Sequence, residues 1–213
     1  MPRQPSCRIR ALVFDAYGTL VEITDKRHPY KGLLDQLPAA SPHRHSFAQT
    51  VMSEPLGLQA AAIRLGMTLS PQKLQQLRRD LDRELASIRP FDDVLDSLAT
   101  LRLQGLKFGI CSNLAKPYAA PVQQLIPMAW DAVSWSFAVG AIKPQDEIYA
   151  SVCRQLDIPP AEVLMIGDSE NEDYLGPLRF GMQAIRLRRG QSPLDPYAIN
   201  SLAELRAFIG RRV

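Results

Sequence analysis

Apolar residues fall along this chain in short runs, each of which stops at a polar or acidic side chain. Residues 9–14 form one such run, rich in branched side chains, ending at Asp15 before a Gly18-Thr19 turn. The pattern predicts a buried strand that delivers an acid at its C-terminal end. A second run, 107–111, follows an amphipathic stretch over 94–103 and then Gly105, where a helix would need a left-handed cap, and it leads into Ser112-Asn113. A third, 163–166, follows a helical stretch over 146–156 and runs into Gly167-Asp168. A fourth, 183–187, comes after Gly181 and ends at Arg188, ahead of a Gly/Pro-bearing segment over 190–196. Strands alternating with helices predict an α/β fold, a doubly wound parallel sheet whose ligands bind beyond the carboxyl ends of the strands. Asp15, Ser112 and Asp168 are therefore expected to meet in one crevice.

Residues 23–89 have a different texture. They open on a polar stretch with Pro29, Pro38 and Pro42 and then read as two helices, near 45–65 and 71–88, joined by 66–70, with Ser70 as cap and Pro71 at the first helical position. An antiparallel helical hairpin standing over the crevice is the expected product. The chain is thus predicted to divide into an α/β core, 1–22 and 90–213, and a helical cap, 23–89. In the tail, Leu202, Leu205 and Ile209 are spaced as one face of a last helix packed on the sheet, and Trp130 and Trp135 are expected in or at the edge of the core.

Charge and composition narrow the classes. Lys plus Arg number 25 against 22 Asp plus Glu, a formal net charge of +3 that, with no long basic run, argues against a nucleic-acid partner. No apolar run reaches the roughly 18 residues needed to span a bilayer, and the N-terminus is polar, so no membrane association and a cytoplasmic location are expected. Cys7, Cys111 and Cys153 are an odd set without metal-ligand spacing, consistent with a reducing compartment. His28, His43 and His45 fall in one polar segment and read as solvated loop residues.

Four elements carry chemistry, in order: Asp15-Ala16-Tyr17-Gly18-Thr19-Leu20; Ser112-Asn113; Lys143-Pro144, preceded by Gly140; and Gly167-Asp168-Ser169-Glu170-Asn171-Glu172-Asp173 with Gly176. A Ser-Asn or Lys-Pro pair alone means little, but the ordered set, each member at a strand end or helix start, resembles the haloacid dehalogenase-like hydrolase superfamily, in its form with a helical cap inserted after the first motif. The resemblance covers nearly the whole chain. It implies a Rossmann-like core, with Asp15 as nucleophile and Mg2+ held by Asp15, the Tyr17 backbone carbonyl, Asp168 and Asp173. Ser112, Asn113, Lys143 and Thr19 would contact the substrate, a small phosphorylated metabolite. The chemistry suits the residue types, because a carboxylate attacking an anionic phosphoryl group needs its charge screened.

One position departs from the phosphatase pattern. Where a second aspartate serves as general acid and base in such phosphatases, this chain has Tyr17 among its catalytic positions. A phenol with a reference pKa near 10 is a poor proton shuttle at neutral pH, and losing such help costs about 10²- to 10⁴-fold. The string Asp-Ala-Tyr-Gly-Thr-Leu resembles instead the first motif of 2-haloacid dehalogenases, whose halide leaves without a proton and whose cap supplies a halide-binding arginine, loosely matched by Arg44. Those enzymes work without metal and carry Ser in place of Asp168. The expectation is a Mg2+-dependent phosphoryl hydrolase; the alternatives are a 2-haloacid dehalogenase and a weakly catalytic phosphate-binding or regulatory protein. Arg27, Arg44, Arg64 and Arg89 are possible anion contacts in the cap.

Overall fold

A computed structural model describes residues 7–191 and 197–210. The first six residues and most of the segment 190–196 noted above lie outside that range. In chain order the elements are β1 (Ala11–Phe14), β2 (Val21–Ile23), α1 (Pro29–Leu34), α2 (His43–Ser53), α3 (Leu58–Arg64), α4 (Pro71–Ala86), β3 (Ile88–Pro90), α5 (Val94–Arg102), β4 (Lys107–Ser112), α6 (Ala119–Leu125), β5 (Ala132–Trp135), α7 (Ser136–Val139), α8 (Asp146–Leu156), β6 (Val163–Gly167), α9 (Gly176–Phe180), β7 (Gln183–Leu187), β8 (Ala198–Ile199) and α10 (Leu205–Gly210). Six strands make one parallel sheet in the order β5-β4-β1-β6-β7-β8. From β1 the chain builds outward on one side through β4 and β5, and then on the other through β6, β7 and β8. The winding direction reverses at β1, and the crevice at such a reversal is where an open α/β sheet binds its ligand.

Register brings the chemistry to one level. Phe14 pairs with Ile110 on one side and Ile166 on the other, so Asp15, Ser112 and Asp168 all leave the sheet at the same edge. Alternation along the strands splits the interior in two. Leu12, Phe14, Ile110, Leu164 and Ile166 face α5, α6 and α10. Ala11, Val13, Cys111, Val163 and Met165 face α8 and α9. The second face is built from smaller side chains and its helix sits close: a Cβ on Gly109 would lie 3.1 Å from Val152 Cγ2.

The segment between β2 and β3 departs from the simple hairpin expected. Residues 45–65 are not one helix. Pro55 lacks an N–H and drives the residue before it out of the helical region, so Glu54 is extended (φ −121°, ψ 146°) and the chain restarts as α3. A further helix, α1, occupies the stretch expected to be a polar loop; Pro29 opens it and Leu33 is fully buried. Ser70 does cap α4, accepting from the Lys73 amide. These helices enclose an apolar cluster of their own, including Leu33, Phe47, Val51, Leu58 and Leu77, which also takes in Ala115 from the loop after β4. The antiparallel pair β2·β3 forms the stem at which the chain leaves and rejoins the sheet. Strand β8, of two residues, carries too little pattern to have been predicted. The tail helix begins as a 3₁₀ turn, but Leu202, Leu205 and Ile209 are all buried as its spacing requires. Among the described residues no helix is long and apolar enough to cross a membrane.

Candidate active site

Asp15 follows β1 directly, its amide donating to the Ile166 carbonyl at 2.9 Å, and the residue is 7% exposed. Lys143 is buried beneath the crevice, 1% exposed. Its Nζ donates to Asp15 Oδ1 at 2.7 Å and to Asp173 Oδ1 at 2.5 Å. Asn113 clasps the Lys143 backbone from both sides: its Nδ2 donates to the Lys143 carbonyl at 3.0 Å, and its Oδ1 accepts from the Lys143 amide at 2.7 Å. A side chain that long, ending in a buried charge, keeps one geometry only if its backbone is held, and Asn113 does this from the end of β4.

Asp173 sits in a π-helical turn, Glu170–Leu175, whose start is capped by Ser169. Its second oxygen accepts from the Ser169 amide at 3.0 Å. Asp168 precedes that turn and remains exposed. Its carboxylate lies against Gly18, where a side chain would collide with it; the same glycine has φ +88°, so both space and backbone conformation favour glycine there. Gly167 is likewise pressed against Asp173. One oxygen from each of Asp15, Asp168 and Asp173 can be chosen so that all lie within 4.8 Å of one another. His43 and His45 are exposed on α2 and belong to no such group among the described residues.

Electrostatics follow from this crowding. Burial acts against the Lys143 ammonium, but the Asp15 and Asp173 carboxylates outweigh it and hold the lysine well above its ordinary pKa. Burial pushes the Asp173 carboxyl up, with Lys143 opposing and Asp15 adding to the rise. Asp168 is exposed over much of its surface, but its carboxylate lies against Gly18 and is raised by the partial burial there and then by Asp15. Among the described residues, the Ser112 hydroxyl, buried at the end of β4, has no partner, nor does the buried Thr19 Oγ1. An unpartnered buried hydroxyl costs about 1–3 kcal/mol, which Ser112 would recover by donating to a bound oxyanion. Burial also pushes the Cys111 thiol up to about 12, keeping it protonated.

Tyr17 points elsewhere. Its hydroxyl donates to the Tyr118 carbonyl at 2.8 Å, its ring meets that of Tyr118 edge-on at 5.7 Å, and burial, with the Glu84 charge adding, raises its pKa. The Tyr118 hydroxyl donates in turn to Glu84 Oε1 at 2.7 Å. Glu84 Oε2 accepts from the Arg27 and His28 amides at 2.5 and 2.6 Å. The arginines singled out as anion contacts have other partners: Arg27 with Asp25, Arg64 with Glu54, Arg89 with Glu22. Arg44 donates to the Leu34 and Leu37 carbonyls at the end of α1.

Residues 9–181 match the model of the haloacid dehalogenase-like hydrolases. The chain belongs to that family. Relatives of this chain include phosphatases and dehalogenases. A glyceraldehyde 3-phosphate phosphatase of Methanopyrus kandleri is 33% identical over 112 residues, 52% of this chain and 48% of that protein. The chain thus spans about half the length of that relative. An (S)-2-haloacid dehalogenase of Xanthobacter autotrophicus is 30% identical over 198 residues, 85% of this chain and 76% of the other. Among solved structures, a HAD phosphatase from Thermococcus onnurineus superposes with a TM-score of 0.64 at 25% identity, over 95% of this chain and 98% of that one.

Sequence reasoning passed over Glu84, Tyr118 and Tyr30. Glu84 had a signal: it falls on the buried stripe of α4 with Leu77 and Leu81, where a charge needs partners. Tyr118 and Tyr30 had none, because an aromatic near a helix start reads as packing.

Proposed function

We propose that the chain is a Mg2+-dependent phosphoryl hydrolase that uses Asp15 as nucleophile on small phosphorylated metabolites with good leaving groups. The observation that carries this reading is the meeting of three carboxylates with a single lysine. Asp15, Asp168 and Asp173 bring oxygens within 4.8 Å of one another, and Lys143 is paired with two of them, so acidic groups outnumber the lysine. An oxygen-only cluster of this kind suits a hard divalent cation. Asp15, Asp168, Asp173 and the Tyr17 backbone carbonyl would hold it. When bound, Mg2+ would neutralise charge and orient a phosphoryl oxygen.

The remaining work falls to the chain. An Asp15 carboxylate oxygen attacks phosphorus and the bond to the leaving oxygen breaks, that oxygen departing with the electron pair. Ser112 donates to a phosphoryl oxygen, and Lys143 offsets the charge shared by nucleophile and phosphoryl group. Water then cleaves the aspartyl phosphate, releasing inorganic phosphate and restoring Asp15. Asn113 fixes Lys143, Thr19 lies in the same turn as the nucleophile, and the helical insertion acts as the cap that excludes water. Tyr17 gives no proton in this scheme, since its hydroxyl is engaged by the Tyr118 carbonyl. Slow turnover of simple alkyl phosphates follows.

Purified protein should release phosphate from acetyl or aryl phosphates in a Mg2+-stimulated reaction, and Asp15→Asn should lower the rate by about 10⁴-fold or more. Absence of Mg2+-stimulated release, with Asp15→Asn indistinguishable from the parent, would sink the proposal. The engaged Tyr17 hydroxyl also suits a 2-haloacid dehalogenase, in which halide needs no proton. Asp168 counts against it, because another carboxylate would face the haloacid. Halide release from 2-chloro or 2-bromo acids that persists in chelator would favour that second reading, and tight phosphate binding without turnover would favour a regulatory role.

A further inference from the structure

A cavity of about 400 Å³ lies between the helical insertion and the loop after β4, within the size range of small-molecule sites. It shares walls with the reaction centre: Tyr17 is two residues beyond Asp15, and Asn113 is the residue that clasps Lys143. Its other walls are mainly aromatic and aliphatic, among them Tyr30, Phe47, Val51, Met52 and Tyr118.

The buried polar groups in this lining are largely spent, and its other polar side chains, His28 and Lys31, are exposed to solvent. Glu84 accepts from one hydroxyl and two backbone amides. The Tyr118 and Tyr17 hydroxyls each donate to a protein oxygen. Asn113 is committed at both its amide nitrogen and its oxygen to Lys143. Among the described residues that line the cavity, only Tyr30 has a buried hydroxyl without a partner. A polyol or sugar placed here would leave several hydroxyls unpaired, at a cost that rises with each one. A flat apolar group would lose nothing and would meet ring edges and faces.

We infer that the cavity binds the aryl group of an aryl phosphate monoester, the phosphate lying at Asp15. The inference rests on the phosphoryl-hydrolase reading and narrows its substrate class. It agrees with the chemistry at Tyr17: with no proton supplied there, a phenolate, unlike an alkoxide, can leave with the electron pair of the broken P–O bond and take a proton from solvent. Asp15 gains the phosphoryl group in that step, and water removes it in the next.

The test compares two non-hydrolysable inhibitors of the Mg2+-loaded full chain, so that leaving-group reactivity plays no part, with acetyl phosphate as substrate. Phenylphosphonate is expected to inhibit at least about tenfold more tightly than methylphosphonate, the difference being burial of the ring. Ala48→Trp, at an exposed position of α2 that lines the cavity, should shrink that ratio at least threefold; if the tryptophan variant does not fold, Ala48→Leu should shrink it less but in the same direction. Equal inhibition by the two phosphonates, or a ratio insensitive to both variants, overturns the aryl site while the hydrolysis of acetyl phosphate leaves the phosphoryl-hydrolase reading standing. No Mg2+-stimulated hydrolysis of acetyl phosphate overturns both.

Discussion

The two sides of the crevice are built on opposite physical terms. On the sheet side, Lys143 joins Asp15 and Asp173 with little exposure to solvent, and both of its ammonium contacts are charge-assisted. Such an arrangement tolerates little change, because removing one member leaves another as a buried, unpaired charge. On the side of the helical insertion, the wall is aromatic and aliphatic, and its one buried carboxylate, Glu84, is satisfied by three donors that tie α4 to residues 27–28 and to Tyr118. That wall can change shape with small loss. The first side suits a reaction shared across a family of phosphatases and dehalogenases, and the second suits the part of the molecule that sets what enters.

The contrast can be broken most sharply at Lys143. Lys143→Met should destabilise the fold by about 3–5 kcal/mol, read by urea unfolding, because Asp15 and Asp173 would face each other unpaired. Added Mg2+ should return part of that loss. A variant as stable as the parent without Mg2+ would mean that the sheet side is not organised around its charges.

A smaller effect is expected where the two sides meet. Tyr17→Asp would put a carboxyl where the proton is missing and remove the ring that bonds to Tyr118. Turnover of alkyl phosphates should rise by about 10²-fold, the low end of general acid help, with the gain much smaller for acetyl phosphate, whose leaving group needs no proton. Equal gains for both substrates would show that Tyr17 limits something other than proton supply.

The smallest effect is a pH dependence confined to the charged side. Asp168 and Asp173 have folded-state pKa values above those of the unfolded chain, so their contribution to stability is present in acid and is lost as pH rises through the folded values. Cation binding needs the ionised forms and reverses that loss. The rise in Tm on adding Mg2+ should therefore be a few degrees larger at about pH 8 than at about pH 5. A shift that is the same at both, in a thermal melt, would place the ion away from these carboxylates.

Much of the sheet side was legible in the chain itself. Strand runs ending at Asp15, Ser112 and Asp168 and the glycines beside them are local patterns, and register in a parallel sheet brings strand ends to one edge once the strands exist. The helical insertion was less legible. Its pattern promised two helices, whereas Pro55 breaks the first and Leu33 draws a further helix out of a polar stretch. Arg44, a sequence candidate for an anion contact, caps the carbonyl end of α1 instead.

By itself the sequence determined the family, the parallel α/β fold and the order in which acids, lysine and serine return to one edge, because each depends on residue type at short spacing. Only the tertiary structure decided that Lys143 is buried between two carboxylates, that the Tyr17 hydroxyl turns away to Tyr118, and that a largely apolar cavity is walled by Tyr17 and Asn113. Those facts depend on which side chains meet across 30 to 128 residues of chain, and such meetings are set by packing rather than by any local pattern.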